Sequence, residues 1–234
     1  MNYLLKYIKK LITSYVFPEI CIGCEKEGQS ICRECQNNII TEKEINENLR
    51  ATSWIFSPLS YKNEILRKAL FFLKYHHTKS VAKYLAKLSK TKLKEVINEA
   101  GAENKENLIL IPIPISKKRL IERDYNQSEI LLRELLKSLK EEGLDLEENF
   151  KKDLLQKEKH TIKFANTHSR QEREKLIENA FLISPKYDQK FLKEKKIILI
   201  DDITTTGATF YEARKTLEKS GVKRENIYGF AVAH

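Results

Sequence analysis

Two adjacent acids followed by hydroxyls and a glycine stand in the stretch IILIDDITTTGATF, Ile197–Phe210. Ile197–Ile200 is an unbroken apolar run, the pattern of a strand covered on both faces in a parallel sheet. In open α/β sheets ligands bind beyond the carboxyl ends of the strands, which is where Asp201 and Asp202 fall. Neighbouring side chains on a strand point to opposite faces, so both carboxylates reach one ligand only if the strand is already turning. Thr204, Thr205, Thr206, Gly207, Ala208 and Thr209 then lead into a helix. Hydroxyls, loop N–H groups and a helix N-terminus suit a phosphate monoester, and Gly207 permits close approach and a positive φ. Carboxylates repel phosphate, so Asp201 and Asp202 must serve another part of the ligand: vicinal hydroxyls, with or without Mg²⁺ between. A sugar 5-phosphate with free 2- and 3-hydroxyls satisfies both halves. The competing reading is a buried strand leaving through an ordinary acidic turn. A Walker A loop is excluded, because no Gly-Lys-Thr/Ser follows.

At these residues the chain resembles the type I phosphoribosyltransferases, whose motif for phosphoribosyl diphosphate (PRPP) is a hydrophobic strand, two acids and T-T-G-x-T. The resemblance implies the type I phosphoribosyltransferase fold, an α/β architecture with a parallel sheet flanked by helices. It implies that the catalytic pair Asp201 and Asp202 holds the ribose hydroxyls, that Thr205 to Thr209 hold the 5-phosphate, and that Mg²⁺ accompanies PRPP. Purine-salvage members carry an acid where this chain has Thr205, which disfavours a hypoxanthine- or guanine-type reaction.

PRPP also carries a pyrophosphate on C1, which needs its own cations. The segment IPIPISKKRLIERDYNQ, 111–127, offers Lys117, Lys118, Arg119 and Arg123, and the segment 160–181 adds Arg170 and Arg173. Lysine outnumbers arginine by 33 to 10, a bias that coding composition can explain; four of the ten arginines lie in these two segments. Arginine grips phosphate oxygens bidentately where lysine acts as a point charge. Solvated surface charge is the alternative for each of these residues.

All four cysteines stand in CIGC, 21–24, and CREC, 32–35. Cys21, Cys24, Cys32 and Cys35 at this spacing can surround one tetrahedral Zn²⁺, with Gly23 and Gly28 helping the chain to turn. CxxC pairs also serve redox chemistry, but two so close together favour zinc. Four thiolates leave no open position, so the site reads as structural.

With the cysteines included, the resemblance narrows to the ComF family, the competence-associated phosphoribosyltransferase-like proteins. The family pattern runs from a double CxxC through a P-x-P strand, an R-G-F-N-Q segment and an R-x-x-N-x-x-x-x-F-like segment to DD-x-x-TTG-x-T. The chain supplies each in order over nearly its full length. Arg123–Gln127 reads RDYNQ, with Asp124 for the glycine and Tyr125 for the phenylalanine; the family's T-x-x-Q becomes Thr161-Ile162-Lys163-Phe164, losing its glutamine. The resemblance implies a role in natural transformation, handling incoming single-stranded DNA alongside uptake proteins such as a helicase. If catalysis occurs, the implied chemistry is displacement of pyrophosphate at C1 through an oxocarbenium-like state. Two readings of other kinds stand beside it: a metabolic phosphoribosyltransferase with a small acceptor, and a module that senses PRPP without turnover.

The elements that must position these residues follow from periodicity. Leu4, Leu5, Ile8, Leu11, Ile12 and Tyr15 have helical spacing, ended by Pro18. A short strand or turn is expected between Phe56 and Tyr61, helices near 62–75 and 78–97, and a linker over 98–107. A strand LILIPIPI finishes at its prolines, a helix covers about 125–140, and 144–175 reads as a mobile polar loop. Strand 197–201, helix 210–219, a stop at Gly221 and strand 227–233 complete an alternating α/β pattern. The expected division is a helix and small zinc-ribbon-like module over 1–45, a helical hood region over 46–104 and a phosphoribosyltransferase core over 105–234.

A composition of 41% apolar and 32% charged residues excludes a disordered chain. No apolar run approaches the ~20 residues of a membrane span. The lysine-broken N-terminus does not read as a secretory signal, so a cytoplasmic location and reduced thiols are expected. The net charge of +10 sits mainly in residues 51–104 and 151–200, at +6 each. In the first block Lys79, Lys83, Lys87, Lys90 and Lys94 fall within about 80° of a helix and span roughly 22 Å, enough to follow several phosphates of a single DNA strand. A solvated helix face is the competing reading.

Overall fold

A computed structural model describes residues 19–39, 53–76, 79–101, 105–157 and 180–234. In chain order its elements are α1 (Arg33–Asn37), β1 (Ile55–Phe56), α2 (Glu64–Tyr75), α3 (Lys79–Glu99), β2 (Leu108–Pro112), α4 (Lys117–Arg123), α5 (Gln127–Lys140), β3 (Leu155–Lys157), β4 (Phe181–Ile183), α6 (Gln189–Leu192), β5 (Lys196–Ile203), α7 (Ala208–Lys219) and β6 (Ile227–Ala233). Strands β1, β6, β5 and β2 lie side by side in that order, every pair parallel. Strands β3 and β4 form a separate antiparallel pair.

The continuous apolar runs have the physical cause anticipated for them: the sheet is covered on both faces. Leu108, Leu110, Ile198, Ile200, Phe230 and Val232 join one core with α2, α3 and α5. Ile109, Ile111, Ile197, Leu199, Ile227 and Ala231 join a second with α7 and the β3–β4 pair. Successive residues of each strand thus alternate between two interiors. A Cβ on Gly229 would stand 2.9 Å from Phe210 Cδ1 and 3.1 Å from Ile55 Cγ1, so glycine there lets α7 settle against β6.

The helices fall close to their expected places, and β2 stops at Pro112, which has no N–H to donate. One helix was not anticipated and one expectation changes. Helix α4 has no buried residue; it is held by its caps, Ser116 Oγ accepting from Arg119 N at 3.3 Å, and by Asp124 at φ 63. Asp124 replaces the glycine of the ComF pattern at a left-handed position that aspartate tolerates. The proposed mobile loop is ordered over 144–157: Leu146, Leu154 and Leu155 are buried, and Asn149 Nδ2 donates to Leu108 O at 2.9 Å. Its apolar residues serve a 3₁₀ turn and a strand, which leaves no helical period to read. The N-terminal apolar stripe, Pro18 and the remainder of that loop, with Thr161, Phe164, Arg170 and Arg173, lie outside the described residues. No helix among the described residues is long and apolar enough to cross a membrane.

Candidate functional site

Helix α5, which follows β2, packs on one face of the sheet, and helix α7, which follows β5, packs on the other. The neighbouring strands β2 and β5 therefore send their chains in opposite directions at their carboxyl ends. This is a topological switch point, the place where an open α/β sheet leaves a crevice. A cavity of ≈ 320 Å³ occupies it, bounded by Ile113–Ile115 after β2 and by Asp201, Asp202 and Ile203 at the end of β5. Lys74, Arg119, Arg123 and Lys157 supply its cations. A larger groove of ≈ 1090 Å³ runs between the cysteine segment, α3 and α5, but Glu19, Glu134 and Glu141 mix with its lysines and no chemistry converges there.

Both carboxylates turn to the start of α5. Ser128 Oγ donates to Asp201 Oδ1 at 2.7 Å, and Gln127 Nε2 donates to Asp202 Oδ1 at 3.3 Å. Lys74 Nζ lies 2.9 Å from Asp202 Oδ2. Burial, and then the neighbouring Asp202 charge, push the Asp201 carboxyl well above the usual carboxylate range, while Ser128 pulls the other way. Burial and Arg119 lower the Lys157 ammonium against the opposing pull of Asp201. Arg123 is held by Gln127 Oε1 at 3.0 Å and lies over the Tyr75 ring, 4.9 Å from its centroid.

The threonine loop joins β5 to α7. Thr204 is buried and its N–H donates to Ala233 O at 3.0 Å; His234 Nε2 lies 3.1 Å from Thr205 O. Gly207 takes φ 73 as the residue preceding α7, and a Cβ there would stand 3.0 Å from Ile55 Cδ1. Thr205 and Thr206 are exposed, Ala208 N donates to Thr206 Oγ1 at 3.4 Å, and Thr209 lines the cavity.

Of the cations named from the sequence, Arg119 and Arg123 line the cavity; Lys117 and Lys118 point elsewhere, exposed, with Lys118 paired to Glu122 at 3.8 Å. Lys79, Lys83 and Lys87 are exposed, whereas Lys90 and Lys94 both pair with Glu142. Sequence reasoning missed Lys74, Tyr75, Ser128 and Lys157. Gln127 stood in the RDYNQ segment, so its position was signalled; nothing in the periodicity of α2 marks Lys74.

Two curated proteins are similar to this chain. Competence protein F of Haemophilus influenzae is 29% identical over 124 residues, covering 53% of this chain and 50% of that protein. Competence protein ComFC of Bacillus subtilis is 24% identical over 225 residues, covering 95% of this chain and 79% of that one. Together they support a ComF-family protein. The chain spans half the length of the Haemophilus relative. No family model matches it.

The four cysteines converge, with their sulfurs all within 4.8 Å of one another and Cys24 Sγ 3.5 Å from Cys32 Sγ. Sulfurs around one Zn²⁺ at about 2.3 Å would stand roughly 3.8 Å apart, so the cluster fits a metal such as zinc. All four are free thiols. Burial raises the Cys21 thiol, but the backbone N–H groups of Cys32, Cys24 and Gly23 outweigh it and bring it down to about 6, which favours the thiolate a metal needs. Burial and the neighbouring thiols raise Cys35. A Cβ on Gly23 would stand 2.6 Å from Cys35 Sγ, so this glycine is required by space; Gly28, at φ 121, is required by backbone conformation. The acid pair gives the opposite answer for Mg²⁺. Gln127 and Ser128 hydrogen-bond to two of its four carboxylate oxygens and the Lys74 ammonium stands 2.9 Å from a third, a positive charge that does not fit a divalent ion held there.

Proposed function

We propose that this protein serves competence, binding PRPP in the crevice between β2 and β5 and single-stranded DNA on its basic surface. The observation that carries the reading is the convergence of Asp201, Asp202, Thr209, Arg119 and Arg123 on one cavity at the carboxyl edge of the sheet. A ribose with an anion at each end complements that order. Its hydroxyls meet the carboxylates, its 5-phosphate meets the loop Thr205–Thr209 at the N-terminus of α7, and its pyrophosphate meets Arg119 and Arg123. Both relatives carry competence in their names. In a transferase the same groups would stabilise charge as the C1–pyrophosphate bond breaks; a sensor would use them for binding alone.

The Asp201→Asn, Asp202→Asn double variant tests the proposal. It should melt as a folded protein and bind PRPP at least about tenfold more weakly, two hydrogen-bonded carboxyl groups being lost. Transformation frequency in cells carrying the variant should fall with it. Lost PRPP binding with undiminished transformation would detach the pocket from competence.

For DNA, the exposed lysines Lys79, Lys83 and Lys87 make the contact. Changing all three to glutamate should weaken single-stranded DNA binding and flatten its log K against log salt slope by about 2. Lys90→Gln or Lys94→Gln alone should change it less, because the two lysines share the opposing charge of Glu142. Binding indifferent to the triple change would rule this face out.

A further inference from the structure

Lys74 reaches the acid pair from α2, an element that belongs neither to the strand carrying the acids nor to the threonine loop. Its backbone is firmly placed. Asn63 Oδ1 accepts from Leu66 N at 3.0 Å to start the helix, and Leu66, Ala69, Leu70 and Leu73 are buried in the core. The lysine sits in the last turn, 23% exposed, with Nζ 2.9 Å from Asp202 Oδ2; the Asp202 side chain is 2% exposed. A buried carboxylate with a half-buried one beside it requires a compensating cation. A divalent ion is one way to supply it. Here a side chain of the protein already stands in that place, and Gln127 and Ser128 satisfy two further oxygens.

We propose that Lys74 is the resident counter-ion of Asp201 and Asp202, so that the pocket accepts a ribose phosphate with no divalent cation at the acid pair. The inference takes its ligand from the PRPP reading above and its residue from the Lys74–Asp202 pair. An ammonium has three donors. Lys74 Nζ stands 2.9 Å from Asp202 Oδ2 as an ion pair, and its donors are available to the sugar hydroxyls that the carboxylates orient. Lys74 is thereby a ligand-binding residue as well as a counter-charge.

Ribose 5-phosphate is the decisive probe, because it carries no pyrophosphate to bring its own metal. Its affinity is measured calorimetrically on the full chain with its cysteine-bound metal, in divalent-depleted buffer without chelator and again with Mg²⁺ added. The wild-type affinity should agree within about twofold between the two buffers, whereas Lys74→Gln should bind about tenfold more weakly without Mg²⁺ and recover on its addition. Lys74→Arg, which keeps the charge, should remain indifferent to Mg²⁺. Independently of any sugar, Mn²⁺ titration followed by electron paramagnetic resonance should show an Asp202-dependent site on Lys74→Gln and none on the wild type. A Mn²⁺ site on the wild type that Asp202→Asn removes overturns the inference. So does a gain of about tenfold or more in wild-type affinity from Mg²⁺. Folded Lys74→Gln without a new Mn²⁺ site overturns it as well. If ribose 5-phosphate binds in neither buffer while the Mn²⁺ results come out as expected, the PRPP reading falls and the role of Lys74 stands.

Discussion

With a metal such as zinc on the cysteine cluster, stripping it, or replacing Cys35 with serine, is expected to unfold far more than the cysteine segment. Cys21 and Cys35 are 0% and 4% exposed, and with Ile31 and Ile39 they belong to the same buried cluster as α2, α3 and α5. Apparent binding energies of structural zinc are about 10–16 kcal/mol in small peptides, and part of that becomes folding energy. A loss of only several kcal/mol would exhaust much of the roughly 5–15 kcal/mol that holds a typical domain folded. The check is a calorimetric melt of metal-loaded protein with and without chelator, with metal content measured alongside. A single transition should move down together for the whole chain. An unmoved main transition after complete metal loss would show that the sheet does not depend on the cluster.

The second large effect runs against intuition: Asp201→Asn should make the free protein more stable while weakening the ribose-phosphate binding proposed above. The Asp201 carboxyl titrates higher in the folded state than in the unfolded one, because burial and the Asp202 charge oppose its ionisation. A group with a raised folded pKa leaves stability intact below its unfolded pKa and costs progressively more as pH rises towards the folded one. Each unit of upward shift corresponds to about 1.4 kcal/mol of penalty once the carboxyl is ionised. Asparagine removes that penalty and can still accept from Ser128 Oγ and from Asp202 N, as Asp201 Oδ1 does now. Urea unfolding at pH 5 and above pH 8 should therefore show the variant's advantage growing with pH. A wild type equal to the variant at high pH would refute the electrostatic account. Stability given up at a binding site in this way is a common compromise between folding and function.

These residues also show what a sequence can and cannot reveal. The run Ile197–Ile200 is legible because a parallel strand buried on both faces leaves no polar position. The cysteines are legible because metal geometry dictates their spacing. Arg119 and Arg123 stood out through the scarcity of arginine, but the basic run that holds them also drew in Lys117 and Lys118, which helix α4 turns to solvent. That helix was missed because SKKRLIER buries no face and depends on its caps. The lysine spacing on α3 was readable; the pairing of Lys90 and Lys94 with Glu142 was not, since it depends on how the end of α5 meets α3. Lys74 is the clearest case. The stripe Leu66, Ala69, Leu70 and Leu73 shows only that Lys74 lies beside a buried face. Which helix ends over the carboxyl edge of the sheet is settled by tertiary packing, and periodicity carries no trace of it.

The sharing of one core by Cys21, Cys35 and the helix that carries Lys74 ties the pocket to inorganic nutrition. With a metal such as zinc on these sulfurs, a cell starved of that ion would not accumulate intact protein with a vacant metal site. It would accumulate chains in which α2 has lost its footing and with it the cation at Asp202. Scarcity of one trace element would then silence the proposed sugar-phosphate pocket at the other end of that helix.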